Sequence, residues 1–322
     1  MTDWKIPSLT SVLLLVATAV PATAQSLEKV KVAASWVGLW DTSQPTFCKE
    51  RGAFQKAGLD VDIISVRGGS ETVQAVTSGS ADIAYSPGVN AVLAAYMQGA
   101  KIKIISSEFI GGGDSFWYVR ADSPIKTIAD FAGKTIGFPR PGGASEAVLL
   151  ALKRDRKMDF KMVATGGFDA TYTMIMTKQV DSGYSGPPSG LEQEKKGEIR
   201  IIFSGDDVPS VKDIIGRVNI ASTDFLTKRR PVAVKFMQVL NECVNWAYAN
   251  PDESLKMFAA LNKVTDPDIA KRSLQFYKRE ALAFSPLKGF DEAVRQAVEG
   301  KFIDKAPTEA QLKDLIDLLL PN

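Results

Sequence analysis

Ser80 to Pro87 reads SADIAYSP, and the chain nearly repeats it at Gln179 to Gly186 as QVDSGYSG. In both stretches an Asp opens a short run, a Tyr-Ser pair closes it, and a helical segment beginning near Thr72 or Thr171 leads in. One matched tag arises easily by chance, so the neighbours decide. Gly68 to Glu71, GGSE, precedes the first copy, and Gly166 to Asp169, GGFD, precedes the second. KIKIIS at Lys101 to Ser106 follows the first, and EIRIIFS at Glu198 to Ser204 follows the second. Three pairs in the same order imply two similar units in tandem.

Each unit alternates short β-rich runs with helical ones, which predicts an α/β fold whose mainly parallel sheets carry crossover helices. Around the first copy, strands over 30–35, 60–66, 82–86 and 101–106 alternate with helices over 46–56, 71–78 and 89–98, and Gly58 stops the first helix. Around the second, the order is the strand KTIGFP from Lys134, the helix SEAVLLALKRDR, the strand FKMVATGG, the helix DATYTMIMTKQ, the strand VDSGYS, a helix over SGLEQEKKG and the strand EIRIIFS. Gly111-Gly112-Gly113 marks a loop between the units, Ser115 to Arg120 a strand, and Asp213 to Ser222 a returning strand. Two crossings make a two-strand hinge. The division is therefore a leader at 1–24, one lobe from 25–119 and 214–322, and a second lobe from 120–213. Helices over 232–248, 251–261, 266–277, 291–299 and 308–320 finish the chain, the last opened by a Thr308-x-x-Gln311 capping box. In open parallel sheets ligands lie beyond the carboxyl ends of strands. Ser86 and Ser185 stand at such ends, so opposed lobes would point both into one cleft.

At the N-terminus Lys5 precedes the apolar run Ser11 to Val20, then Pro21 and Ala22-Thr23-Ala24, the pattern of a secretory signal peptide cleaved after Ala24. Gln25, not Cys, follows, so no lipid anchor is expected, and an exported, unanchored protein fits a periplasm. With 39 basic against 37 acidic residues, net +2, no nucleic-acid partner is indicated. The basic run Lys153 to Lys157 reads as a solvated helix end. There is no histidine, which removes His-based triads, general bases and metal ligands together. Only Cys48 and Cys243 are present; export permits a bridge, but Cys243 shares an apolar face with Val239, Leu240 and Val244, and a buried free thiol is the simpler reading.

SGSADIAYS after the Gly-Gly-Ser turn, SPIKTIADFAGKTIGFPRPGGAS opening the second unit and STDFLTKRRPVAVKFMQVL after the return strand resemble the solute-binding proteins of ABC importers. The branch they resemble takes nitrate, sulfonates, taurine and thiamine pyrimidines, the NMT1/THI5-like or SsuA-like family. The resemblance runs from about Lys29 to Leu261 and is most specific at Pro124 to Ser145. It implies a two-lobed periplasmic binding protein type II fold, a ligand in the interlobe cleft, a membrane permease as partner, a monomer and no cofactor. Carried onto this sequence, the cleft positions are Trp36, Trp40 and Asp41 in the first loop and Ser86, Pro87 and Asn90 after the third strand. In the second lobe they are the Gly142-Gly143-Ala144-Ser145 turn, Phe168, and Ser185 with Pro187. The chain has Gly186-Pro187-Pro188 where relatives often carry an acidic or aromatic residue.

PRPGGAS before the helix at Glu146 suits an anionic or polar group, since glycines admit a close approach and the first helical N–H groups lack internal partners. Arg140 adds a charge. It is not a nucleotide-phosphate loop, because no Gly-Lys-Ser/Thr follows. Trp36 and Trp40 offer rings to stack on a ligand or to pack in the core. Together these point to an organic anion, a sulfonate or carboxylate, with an aromatic or pyrimidine-like part. The resemblance also admits a thiamine-pyrimidine or related biosynthetic enzyme on the same fold. A ligand-sensing protein for a signalling partner is a further possibility. No catalytic or metal-binding residues are indicated.

Overall fold

Apolar runs flanked by amphipathic helices build two sheets, each covered on both faces. The computed structural model describes residues 1–2, 26–36 and 38–320; past its first two residues, the leader read from the sequence lies outside the described residues. The chain begins with β1 (Glu28–Ser35), α1 (Gln44–Glu50), α2 (Ala53–Lys56), β2 (Leu59–Val66), α3 (Gly69–Thr77), β3 (Ile83–Tyr85), α4 (Val89–Met97) and β4 (Ile102–Ile110). It crosses over as β5 (Phe116–Arg120) and continues with β6 (Thr135–Phe138), α5 (Ala144–Arg156), β7 (Lys161–Ala164), α6 (Phe168–Met176), β8 (Gly183–Ser185), α7 (Leu191–Lys195) and β9 (Ile199–Ser204). It returns as β10 (Ile215–Ser222), followed by α8 (Thr223–Ala249), α9 (Pro251–Asn262), α10 (Pro267–Leu274), α11 (Phe290–Glu299) and α12 (Glu309–Leu315).

The first sheet has the order β2-β1-β3-β10-β4, with β1 parallel to β2 and β3, and β10 antiparallel to β3 and β4. In the second, β5 lies antiparallel between β8 and β9, while β6 and β7 pair in parallel. A parallel bridge from Ile136 to Ser182 joins these parts into the order β7-β6-β8-β5-β9. The two orders match, with β5 standing where β10 stands. Each sheet is therefore mainly parallel, as the sequence predicts, with the single crossing strand running against the other four. Each antiparallel strand is brought in by a crossing from the other lobe, so it enters against the direction of its neighbours.

The repeated Asp has the same task in both lobes. The carboxylate of Asp82 accepts from the Lys31 backbone N–H at 2.8 Å, and that of Asp181 accepts from the Thr135 N–H at 2.8 Å. Each ties the start of its lobe's third strand to the first.

The crossings run side by side. The Asp206 carboxylate accepts from the Gly112 N–H at 3.1 Å, and a Cβ on Gly113 would come within 2.5 Å of that carboxylate, so the triple glycine permits the contact. β4 extends through Ile110, taking SEFI into the sheet.

Helices differ from expectation at two breaks. Gly52, at φ 67°, divides the first helix into α1 and α2. α8 starts earlier than expected, because Ser222 caps it by accepting from the Phe225 N–H at 3.1 Å, and the backbone bends at Arg229 ahead of Pro231. The capping box of Thr308 and Gln311 forms at α12, which ends at Leu315. On one face of the first sheet, Val30, Val32 and Tyr85 pack with Phe47, Phe54 and Leu240, and Phe54 stacks on Phe236 with ring centres 5.1 Å apart. In the second lobe Trp117 stacks on Phe203 at 4.8 Å. Cys48 and Cys243 are bridged, not free: α1 lies against α8 with the two Cα atoms 5.7 Å apart. No helix among the described residues is long and apolar enough to cross a membrane.

Candidate functional site

Between the carboxyl ends of β1 and β3 and the N-terminus of α5 the lobes enclose a cavity of about 60 Å³. The first lobe contributes Ser35, Trp36, Asp41, Gly69 and Ser86, and the second contributes Arg140, Gly143, Ala144, Ser145 and Tyr184. Arg217, from β10, forms the inner end. A second cavity of about 40 Å³ shares Ala144, Ser145, Tyr184 and Arg217 with the first, and adds Asn90, Asp114 and Gln296.

Three contacts hold the lobes together at the rim. Trp36 stacks on Phe168 with ring centres 5.0 Å apart and planes 25° from parallel. Arg140 pairs with Glu71 at 3.0 Å. The Ser70 hydroxyl donates to the Pro141 carbonyl at 3.2 Å. Backbone meets backbone as well: a Cβ on Gly88 would lie 3.2 Å from the Ala144 nitrogen. The cleft is closed.

At the inner end one guanidinium faces three buried carboxylates. Arg217 lies 3.0 Å from Asp41, 3.3 Å from Glu108 and 2.8 Å from Asp114, with its plane 4.3 Å from the centre of the Phe109 ring. Asp41 and Glu108 are fully buried and Asp114 nearly so. Oδ1 of Asp41, Oε1 of Glu108 and both oxygens of Asp114 have no hydrogen-bond donor, Asp114 meeting Arg217 as an ion pair only. Burial pushes the Asp41 carboxyl up to about 6, opposed by Arg217 and raised further by Asp114; backbone N–H groups of Asp41 and Thr42 offset this only in part. Burial pushes Glu108 up to about 8, with Asp41 adding to the rise and Arg217 and the Ser86 hydroxyl opposing it.

The first copy of the repeated tag feeds this network. Ser86 has φ 67°, its N–H donates to the Asn219 side chain at 3.0 Å, and its hydroxyl donates to Glu108 at 2.9 Å. The Tyr85 hydroxyl donates to the Asp41 carbonyl at 3.1 Å. Ser185 differs: its hydroxyl donates to the Ser189 carbonyl at 2.9 Å, and it lines a separate pocket with Tyr118 and Tyr172. The expected pair of serines on one ligand is therefore not assembled in this closed form. The tag's tyrosine, Tyr184, reaches the cavity from the second lobe instead.

Among the other residues read from the sequence, Trp36, Asp41, Ser86, Arg140, Gly143, Ala144 and Ser145 come together on the cavity. Trp40 does not. It is fully buried among Phe47, Tyr248 and Phe258, where its large ring completes the core. Asn90 faces the second cavity. Gly142 backs the turn against Ser70, Pro87 sits behind Gly69, and Phe168 serves as the lid over Trp36. Pro187 points its carbonyl at the Tyr277 hydroxyl, 3.2 Å away, rather than at the cavity. Arg140 borders the cavity, but its charge is engaged by Glu71. Glu108, Asp114, Tyr184 and Arg217 were missed. A lone Glu in the apolar β4 run and a lone Arg in the apolar β10 run carried the signal, because such charges are buried only when paired.

Comparison with known proteins agrees with this architecture. A provisionally named binding protein of Brucella abortus (strain 2308) is 28% identical over 229 residues, covering 70% of this chain and 69% of that protein. YtlA of Bacillus subtilis (strain 168), of similar provisional name, is 27% identical over 286 residues, 86% of this chain and 83% of that one. The alkanesulfonate-binding protein SsuA from Xanthomonas axonopodis pv. citri, solved bound to MOPS, superposes with a TM-score of 0.76 at 17% identity over 92% of this chain and 100% of that one. The periplasmic aliphatic sulphonate binding protein SsuA from Escherichia coli gives 0.71 at 17% identity, covering 90% and 92%. These place the chain in the periplasmic binding protein fold. The "NMT1/THI5 like" family model matches residues 46–254, more than half of the chain, and the chain belongs to that family.

Proposed function

We propose that this protein is the exported solute receptor of an ABC importer. It takes a small organic solute between its two lobes, closes on it, and presents the closed form to a membrane permease. The observation that carries this is the cavity walled from both lobes and sealed by Trp36 on Phe168 and Arg140 on Glu71. Such contacts exist only when the lobes meet, so a solute that bridges them shifts the population toward the closed form. The names of relatives as binding proteins and the SsuA-like fold support the same reading. We read the protein as monomeric, periplasmic after cleavage at Ala24, and returning its solute unchanged.

The apolar or aromatic part of the solute goes beside Trp36 and Tyr184. An anionic end, as in the sulfonates of the SsuA neighbours, would rest on Arg140 and the α5 turn, and the pairing of Arg140 with Glu71 takes away the free charge on which that reading depended.

Native mass spectrometry of the purified protein, with small-angle scattering before and after solute removal, tests the assignment. A carried solute and a more extended empty protein are expected. A solute recovered chemically altered at catalytic turnover would overturn it in favour of an enzyme.

A further inference from the structure

The inner end of the cleft has an excess of negative charge. Asp41, Glu108 and Asp114 surround Arg217; Asp41 and Glu108 each keep one oxygen, and Asp114 both, without a hydrogen-bond donor. The other cation on the cavity, Arg140, is matched by Glu71. Buried carboxylate oxygens are costly unless donors reach them, and a native protein keeps them unpaired where something else supplies those donors. Asp41 lines the cavity that Arg140 borders and Asp114 lines the adjoining one, so both residues belong to the walls of the cleft. The rings of Trp36 and Tyr184 border the same cavity as Asp41, and aromatic faces attract cations. A metal ion is a poor occupant, because no group of acidic residues among those described has the geometry to hold one.

We infer that the solute presents a cationic, hydrogen-bond-donating nitrogen group, an ammonium, amidinium or guanidinium, to the Asp41 carboxylate. Its N–H groups occupy the empty lone pair on Oδ1, and its charge offsets the surplus that a single Arg217 leaves. A sulfonate at this point would set a further anion against a site with three acidic side chains and one guanidinium. Burial already raises Asp41 and Glu108, and a cation in the cavity works in the opposite direction by favouring their charged forms. This rests on the reading of the cleft as a solute site.

The test uses the mature protein and four probes, methylguanidine, ethylamine, ethanesulfonate and acetate, by thermal shift and calorimetry, together with identification of any solute released on denaturation. Methylguanidine or ethylamine should stabilise the protein and ethanesulfonate and acetate should not, and Asp41→Asn should weaken the cation at least tenfold. Binding by a folded Asp41→Asn equal to the parent overturns the role of Asp41. If that variant does not fold, the parent's preference among probes decides alone. Stabilisation by ethanesulfonate or acetate but by neither cation overturns the inference and leaves the solute receptor standing. A carried solute without a basic nitrogen has the same consequence, and one with it supports the inference. No probe bound and no solute carried would sink the receptor reading and this inference with it.

Discussion

Glu71, in the first turn of α3, and Arg140, ahead of α5, meet across the mouth of the cleft at 3.0 Å. Both are about one-third exposed, so the pair is screened and belongs among surface ion pairs worth about 0–1 kcal/mol. Its effect is on the open–closed balance, because the pair exists only in the closed form. Arg140→Ala and Glu71→Ala should each weaken solute binding no more than about fivefold, the factor that 1 kcal/mol allows. The double variant should cost no more than either single one, since both remove one interaction. Calorimetry on the three variants measures this. A loss of a hundredfold in Arg140→Ala alone would show that Arg140 holds the solute directly.

The two serines of the repeated tag should part company. Ser86→Ala removes a donor from buried Glu108 and should cost about 1–3 kcal/mol of stability with a drop in affinity. Ser185→Ala removes a bond to the Ser189 carbonyl, away from the cavity, and should leave affinity within about twofold. Denaturant unfolding and titration of both variants decide. Equal losses of affinity would restore the shared ligand that the sequence suggests.

The bridge between Cys48 and Cys243 closes a sequence separation of 195 residues. Constraining so long a loop in the unfolded chain should contribute about 2–4 kcal/mol. Cys48→Ala with Cys243→Ala should therefore melt several degrees below the parent while keeping its solute, because neither residue lines the cavity. Alkylation of unfolded, unreduced protein should label no thiol; two labels would remove the bridge.

The tandem fold was legible because the same local problem is solved twice, with Asp82 on Lys31 and Asp181 on Thr135 performing one task in two lobes. The strand exchange was not. Nothing in Phe116 to Arg120 tells a reader that it will pair antiparallel with residues near 184 and 201, since that choice is made by long-range packing. The cysteines failed for the same reason, as distance along the chain says nothing of α1 against α8. At the site, loop residues such as Trp36, Asp41 and Arg140 were readable from their place after strand ends. Glu108 and Arg217 lie within strands and were passed over as sheet residues, although they lie close together, with Arg217 paired opposite Phe109 in the β4–β10 register.

Glu108 should make stability depend on pH in an unusual direction. Its folded carboxyl is pushed up to about 8 from 4.5, chiefly by burial, so the folded state holds a proton that the unfolded chain has released across that interval. A raised carboxyl contributes stability that is full below about pH 4.5 and is lost as pH rises through about 8. Asp41, raised to about 6, adds in the same sense over a lower window. The groups facing Glu108 are Asp41, Asp114, Arg217 and the Ser86 hydroxyl. Carboxylates held down by surface partners, among them Asp122 and Asp314, lose their contribution only at acid pH and do not mask the effect. Glu108→Gln keeps an amide in place of the protonated acid and cannot ionise. Relative to this variant, the parent should lose on the order of 2 kcal/mol between pH 5 and 8, a discounted share of the roughly 1.4 kcal/mol per pH unit that one proton carries. Urea unfolding of both proteins at half-unit steps gives the two slopes. Parallel slopes would mean that Glu108 is ionised throughout, held by Arg217 alone, and that the inner end of the cleft carries its full negative charge even when empty.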